Sequence, residues 1–281
     1  MKDIVVIYHG NCSDGFGGAW AAWKKFGDQA DYLSAHHLKP NQPEPLADLK
    51  DKTVYFIDFI YPKEITERII RENKAVTAID HHITMREVVA LTKDFIFDNE
   101  HSGAVLAWNY FHSEKEIPKL LRHIEDFDLW KFKLPNTKEI MAFLEITENN
   151  FELWDKLAQD LENEGASKSY LEQGKAILAY QKTLVNQLAE TAELVSFEGH
   201  SILVANAPHA LASSLGHVLY QKNPPMSVIW NQQKDRKSFS LRSDGTVDVG
   251  RMAQKYGGGG HKTAAGFRLE PDAELPWIPI K

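Results

Sequence analysis

Three short runs of the sequence each end an apolar stretch in residues able to hold a metal ion. The run "IVVIYHGNCSDG" delivers His9 and Asp14, "VYFIDF" delivers Asp58, and "VTAIDHH" delivers Asp80, His81 and His82. A fourth cluster, "IEDFDLW", ends a helical stretch in Asp126 and Asp128. Carboxylates gathered in a low dielectric drive one another's protonation, a cost that a bound divalent cation removes. The donors are oxygens and imidazoles without a thiolate cage, because Cys12 is the sole cysteine. Such a set suits Mn2+ or Mg2+, while imidazole also admits Zn2+, Co2+ or Fe2+. Carboxylates that bridge two ions support in-line phosphoryl transfer, so phosphate chemistry is the first expectation.

A glycine-rich run near the other end points the same way. In "KYGGGGHKTAAGF", four glycines from Gly257, among them Gly258, Gly259 and Gly260, precede His261. Consecutive glycines let backbone N–H groups approach a ligand and form an anion-binding nest, and His261 can donate to a phosphate oxygen. Arg242 in "SFSLRSDG" is suited to clamp a phosphate. Isolated residues have plainer readings: Asp98 forms a turn or cap, and His36, His37, His112 and His200 are surface or satisfied core residues. Core packing is also the expectation for Trp20, Trp23 and Trp130.

Elements must hold these residues. Ile4 to Tyr8, Thr53 to Ile57 and Ala75 to Ile79 are β-branched runs suited to strands buried on both faces. Helical spacing lies between them, from Phe16 and from Tyr61, with Pro62 in a first turn. This βαβ rhythm implies a mostly parallel sheet flanked by helices, with the candidate ligands at the carboxyl ends of its strands. From Ser102 to about Asn186 the pattern is mostly helical and ends in a connector helix. Four strand runs and two helices then follow, from "LVSFEG" onward. The fold class is therefore α/β: a metal-binding catalytic domain with helical connector over 1–185 and a smaller mixed α/β, substrate-binding domain over 195–281.

Composition sets bounds. With 281 residues, 43% hydrophobic and 25% charged, the chain has the make-up of a folded globular protein. No run suits a signal or a membrane span, so a cytoplasmic protein without membrane partner is expected. The balance of 32 basic against 39 acidic side chains, net −7, argues against a platform for duplex nucleic acid. A small phosphorylated substrate (nucleotide, dinucleotide or short oligonucleotide) remains compatible with a local cationic or metal-bearing pocket, and so does a homodimer.

In their order, "HGNCSDG", "FIDF", "IDHH", "EDFDLW" and "GGGGHKTAAGF" resemble the motifs of the DHH phosphoesterase superfamily with its C-terminal DHH-associated domain. That superfamily includes single-strand-specific exonucleases, nanoRNases, cyclic-dinucleotide phosphodiesterases, exopolyphosphatases and family II pyrophosphatases. The resemblance implies hydrolysis by metal-activated water in a cleft between two domains, usually with Mn2+, as one or two ions. It implies metal ligation by His9, Asp14, Asp58, His81 and Asp126, with Asp58 bridging and Asp128 the alternative to Asp126. It places Asp80 where it can ligate or orient the ligands, His82 at the scissile phosphate, and Arg242 with Gly258 to His261 on the substrate phosphate.

The family's first motif runs His, three residues, Asp, one residue, Asp. Here it is one residue shorter and sets Cys12 where the first Asp would stand, with Asn11 able to offer an amide oxygen. Two ions, one ion, or a softer metal such as Zn2+ are all compatible with that change, as are Mg2+ and Co2+. The leading expectation for substrate is the phosphodiester of a short or cyclic nucleotide. A phosphoanhydride, as in polyphosphate or pyrophosphate, is the alternative, and a degenerate member that binds nucleotide without turnover is another.

Overall fold

Strands β1 (Ile4–His9), β3 (Thr53–Ile57) and β4 (Ala75–Asp80) form where the apolar runs predict them. Two further strands, β2 (Ala30–Ala35) and β5 (Asp94–Phe97), lie at the edges of the same sheet. The order is β2-β1-β3-β4-β5, and every pair is parallel. Right-handed crossovers are the rule for such pairs, so helices cover both faces. Alternate residues diverge accordingly. Val6, Ile57 and Ile79 pack with Trp20, Trp108 and Trp154 on one face, and Val5, Ile7, Phe56 and Ala78 with Ile69 and Val89 on the other. The first face carries α1 (Ser13–Phe26), α4 (Gly103–Phe111), α5 (Lys119–Asp128) and α7 (Phe151–Leu161), and the second α2 (Lys63–Glu72) and α3 (Arg86–Val89). Helix α6 (Thr137–Leu144) packs on α5, and α8 (Glu164–Ala189) follows α7.

This computed structural model describes residues 1–10, 12–36 and 46–280. The chain divides into two units, Met1–Leu178 and Ala179–Lys281, the division falling within α8. Among the described residues no helix is long and apolar enough to cross a membrane.

The second unit is built on a seven-stranded mixed sheet in the order β10-β11-β9-β8-β7-β6-β12. Its strands are β6 (Glu193–Phe197), β7 (His200–Asn206), β8 (Met226–Gln232), β9 (Lys237–Ser243), β10 (Gly259–Gly260), β11 (Ala264–Leu269) and β12 (Ile278–Pro279). Only β7 and β8 run parallel among its pairs. One face buries Phe239, Leu241 and Phe267 with Val249 and Ala253 of α10 (Val249–Gln254). On the other, α9 (Ala212–Lys222) covers Ala205 and Ile229 through Leu215 and Leu219. The expected architecture, a parallel sheet flanked by helices and a smaller mixed α/β unit, is the one adopted.

Trp20 is buried and stacks on Trp108 with ring centroids 5.4 Å apart, as core packing requires. Trp130 departs from that expectation: it is 43% exposed, beside Phe132 where the chain leaves α5. Asp98 accepts the Glu100 N–H at 2.9 Å in the expected turn, and the His112 ring meets the Ala21 carbonyl at 2.9 Å.

Candidate metal centre

In the order β2-β1-β3, successive connections leave β1 in opposite directions, which opens a crevice at the carboxyl ends of β1 and β3. His9 is the last residue of β1, Asp58 follows β3, and Asp80 closes β4 with His81 and His82 directly after it. Asp14 enters from the first turn of α1 and Asp128 from the last turn of α5.

Asp58 is the hub. It is 2% exposed, and its φ of 55° lies in the left-handed region, while its N–H donates to the Ile79 carbonyl at 2.9 Å. A non-glycine residue held there costs roughly 1–3 kcal/mol, and such strain gathers at functional sites. Its Oδ1 lies 3.2 Å from His81 Nε2 and 3.6 Å from His82 Nδ1, and its Oδ2 lies 3.4 Å from His9 Nδ1. Neither oxygen closes a well-directed hydrogen bond.

The imidazole of His81, 1% exposed, also points Nε2 at Asp14 Oδ2 and Asp128 Oδ2, each 3.7 Å away. Asp80 orients the pair of histidines. Its Oδ1 accepts the N–H groups of His81 (2.6 Å) and His82 (2.9 Å) and meets His82 Nδ1 at 2.8 Å, while its buried Oδ2 closes no hydrogen bond. Asp14 is fixed from the far side by the amino end of α4, where Gly103 N–H donates to Oδ2 at 2.7 Å and Ala104 N–H to Oδ1 at 2.9 Å. The positive end of that helix favours the carboxylate.

Gly103 has a second reason to lack a side chain. A Cβ there would sit 2.6 Å from Asp58 Cβ and 3.0 Å from Asp14 Oδ2. Gly103→Ala is therefore expected to push the Asp58 backbone off its position and weaken divalent-metal binding on the order of 10–100-fold. Calorimetric titration checks this, and unchanged affinity would contradict the packing argument.

The electrostatics follow from crowding. Burial opposes charge on His81, but its close contact with Asp58 and the fields of Asp14, Asp58 and Asp128 prevail and raise its pKa to about 10. Burial likewise opposes charge on His82, and Asp80 and Asp58 outweigh it and raise that pKa to about 9. Burial, then Asp58 and Asp128, push Asp14 well above the usual carboxylate range. Burial raises Asp128 as well. Asp58 resists its own burial through the imidazoles of His81, His9 and His82 that face it, and its pKa falls.

Within the first unit three donor groups are close enough to bind an ion, each with its atoms within 4.8 Å of one another: Asp14, Asp58 and His81; His9, Cys12 and Asp58; and Asp58, Asp80 and His82. All three share Asp58. Buried carboxylate oxygens without hydrogen bonds, set among imidazoles, are what a divalent cation would satisfy, so these residues fit one or two ions.

Asp126, expected as a ligand, is elsewhere. Its carboxylate accepts the N–H of Lys133 (2.7 Å) and Leu134 (3.1 Å) and the hydroxyl of Thr137 (2.6 Å), which leaves Asp128 as the α5 acid at the cluster. Residues two apart on a helix point to opposite sides, so only one of the two can face the site. Asn11 lies outside the described residues. Gly103 escaped the sequence reading, although a serine followed by glycine at a helix start is a visible cap signal, and Ser102 does cap α4.

In the second unit, Gly258 and Gly260 are pressed against β11. A Cβ on Gly258 would fall 2.1 Å from the Gly266 carbonyl oxygen, and Gly260 has a φ of 137°. Gly259 pairs with Gly266, and His261 N–H donates to the Ala264 carbonyl at 2.7 Å. The glycines thus close a tight hairpin onto β11. Arg242 donates Nη2–H to Ser213 Oγ at 2.7 Å and Nη1–H to the Leu241 carbonyl at 2.8 Å. Among the described residues no carboxylate pairs with it, and burial lowers its pKa to about 10.

Comparison with known proteins agrees with this build. Residues 200–276 match the DHHA1 domain family. The chain is 34% identical over 285 residues to the uncharacterized protein R106 of Acanthamoeba polyphaga mimivirus, covering 94% of this chain and spanning 66% of that protein. Among solved structures, a DHH domain described as belonging to a family of ribosomal proteins superposes with TM-score 0.65 at 13% identity, over 94% of this chain and 82% of that one. An exopolyphosphatase-related protein from Bacteroides fragilis gives 0.53 at 14%, over 98% and 88%. A pGpG-specific phosphodiesterase, PggH, from Vibrio cholerae gives 0.51 at 14%, over 96% and 94%. At such identities these structures share the fold. Residues 200–276 thus carry the match to the DHHA1 domain family, and the chain as a whole shares the fold of a solved DHH domain.

Proposed function

We propose that the chain is a metal-dependent phosphohydrolase that cleaves the phosphodiester of a short or cyclic oligonucleotide. One observation carries the reading: a buried, conformationally strained carboxylate, Asp58, is shared by three sets of metal-competent donors at the sheet's switch point. Divalent ions held there, Mn2+ being the first candidate, would polarise a phosphoryl oxygen and lower the pKa of water. Asp58 and His81 would hold the ions, with His9, Asp14 and Asp128 completing the set. Asp80 holds both histidines in place through its three contacts at Oδ1. His82, whose ring Asp80 holds at Nδ1, is suited to offer a hydrogen bond to a phosphoryl oxygen.

Substrate recognition is assigned to the second unit. Arg242, Ser240 and Ser238 alternate along one face of β9, and Arg268 on β11 pairs with Ser238. Arg242 and Arg268 thus stand about 13 Å apart along the strands, and the charges of Arg236, Arg242 and Arg268 act together on His209. A cationic face of that length suits phosphates separated by a nucleoside better than the adjoining phosphates of a pyrophosphate. The similar Vibrio structure, that of a pGpG-specific phosphodiesterase, favours the same class. The Bacteroides relative, described as exopolyphosphatase-related, supports polyphosphate as the second reading.

The test is turnover by metal-free protein supplied with Mn2+, Mg2+, Co2+ or Zn2+, against linear and cyclic dinucleotides, short RNA, polyphosphate and pyrophosphate. Highest kcat/KM on a dinucleotide is expected. Highest kcat/KM on polyphosphate would install the second reading, and nucleotide binding without turnover under any metal would remove the enzyme. Arg242→Gln is expected to raise KM for the dinucleotide about 10–100-fold with kcat little changed, the loss of a charge-assisted hydrogen bond of roughly 1.5–3 kcal/mol.

A further inference from the structure

One of the three donor groups contains sulfur. Cys12 precedes the first turn of α1, and its Sγ lies within 4.8 Å of donor atoms of His9 and Asp58. The neighbouring Asp58 is 2% exposed, and both its oxygens are buried without a hydrogen bond. A thiol beside a buried acid and an imidazole has little structural purpose of its own. It has no second cysteine in this chain to form a disulfide with, and it is only half-buried, so it fills no core position. Its neighbours at the other donor groups are oxygens and nitrogens alone.

We propose that Cys12 binds, with His9 and Asp58, a borderline divalent ion of the Zn2+ class, chemically distinct from the ion held by Asp14, Asp58 and His81, with Asp58 shared by both. Three protein donors with a coordination position left over is the pattern of a catalytic rather than a structural zinc site. Sulfur shifts preference away from Mn2+ and Mg2+, whose affinities rest on carboxylate and water oxygens. On binding, the ion takes the place of the Sγ–H proton, which leaves to solvent. The proposal rests on the metal centre of the preceding section, but its test needs no turnover.

The full-length, metal-free chain is titrated with Co2+ and followed by absorbance. A thiolate-to-cobalt charge-transfer band in the near ultraviolet can arise only from Cys12. The band is expected to saturate, to be absent in Cys12→Ser, and to bleach with Zn2+ at far lower concentration than with Mn2+. Cys12→Ser should narrow the Zn2+-over-Mn2+ preference by at least ~10-fold. Cys12→Asp should bind as much cobalt as the native chain without showing the band. No band at saturating Co2+, or a band that persists in Cys12→Ser, would overturn the proposal. If that variant does not fold, alkylation of the native chain decides: Zn2+ is expected to protect Cys12 from iodoacetamide, and full modification at saturating Zn2+ overturns the proposal. A chain with the band but no phosphohydrolase activity would overturn the preceding reading and leave this one standing. Activity without the band would do the reverse.

Discussion

Replacing Asp58 with asparagine is expected to abolish tight metal binding and to lower turnover by on the order of 10³-fold, the loss of several kcal/mol of charge stabilisation. Asparagine is chosen because it tolerates the left-handed backbone that position requires, so the change removes charge and little else. All three donor groups of the first unit contain Asp58, so none of them stays complete. The metal-free protein offers an independent readout. His81 has its pKa raised from 6.5 to about 10, with Asp58 the strongest of the groups that raise it. A raised imidazole contributes stability that is fully present below about pH 6.5 and is lost as pH climbs through about 10. In chelator, thermal unfolding of the native chain should weaken across that window, and Asp58→Asn should flatten the decline. A divalent ion must displace the His81 proton to use its nitrogen, so metal affinity in the native chain should rise with pH over the same range. Unchanged metal stoichiometry in Asp58→Asn would dismiss the hub assignment.

The strands that carry this site were readable because they are buried on both faces. In β1 the consecutive residues Val5, Val6 and Ile7 are fully buried, and an unbroken apolar run is the only pattern such a strand can have. The edge strands β2 and β5 lack that constraint. Each has a single neighbour and carries polar residues such as Asp31, Ser34 and Asp94, so neither stands out from loop sequence. The DHH run was legible for the same reason as β4: a core strand that ends in an acid and two imidazoles has an edge to serve. The demand on Gly103 is of another kind. It is imposed by Asp14, 89 residues away in sequence, and by Asp58, and no local spacing encodes such an approach. The two acids of α5 mark the limit of periodicity: it shows that one of them faces the site but leaves open which rotation of the helix the core selects.

That rotation is decided by packing, and the two acids should therefore separate cleanly under mutation. Asp128→Ala is expected to weaken metal binding on the order of 10–100-fold while costing almost no stability. Burial already penalises its charge, and the nearby Asp58 adds repulsion. Asp126→Ala should do the opposite. Asp126 is 4% exposed, and its loss strands the amides of Lys133 and Leu134 and the hydroxyl of Thr137, at roughly 2–4 kcal/mol in all. Metal stoichiometry should not change. The cost has a pH signature: burial alone would raise the Asp126 pKa, but Thr137 and the two amides hold it below 3.8. A depressed carboxylate contributes stability that is present above its unfolded pKa and lost as pH falls through the folded value. The stability gap between native and Asp126→Ala should thus be full at pH 6 and shrink in acid, as denaturant titrations at both pH values would record. A gap that is constant with pH, or a metal equivalent lost from Asp126→Ala but kept in Asp128→Ala, would return Asp126 to the metal and rotate α5 by half a turn.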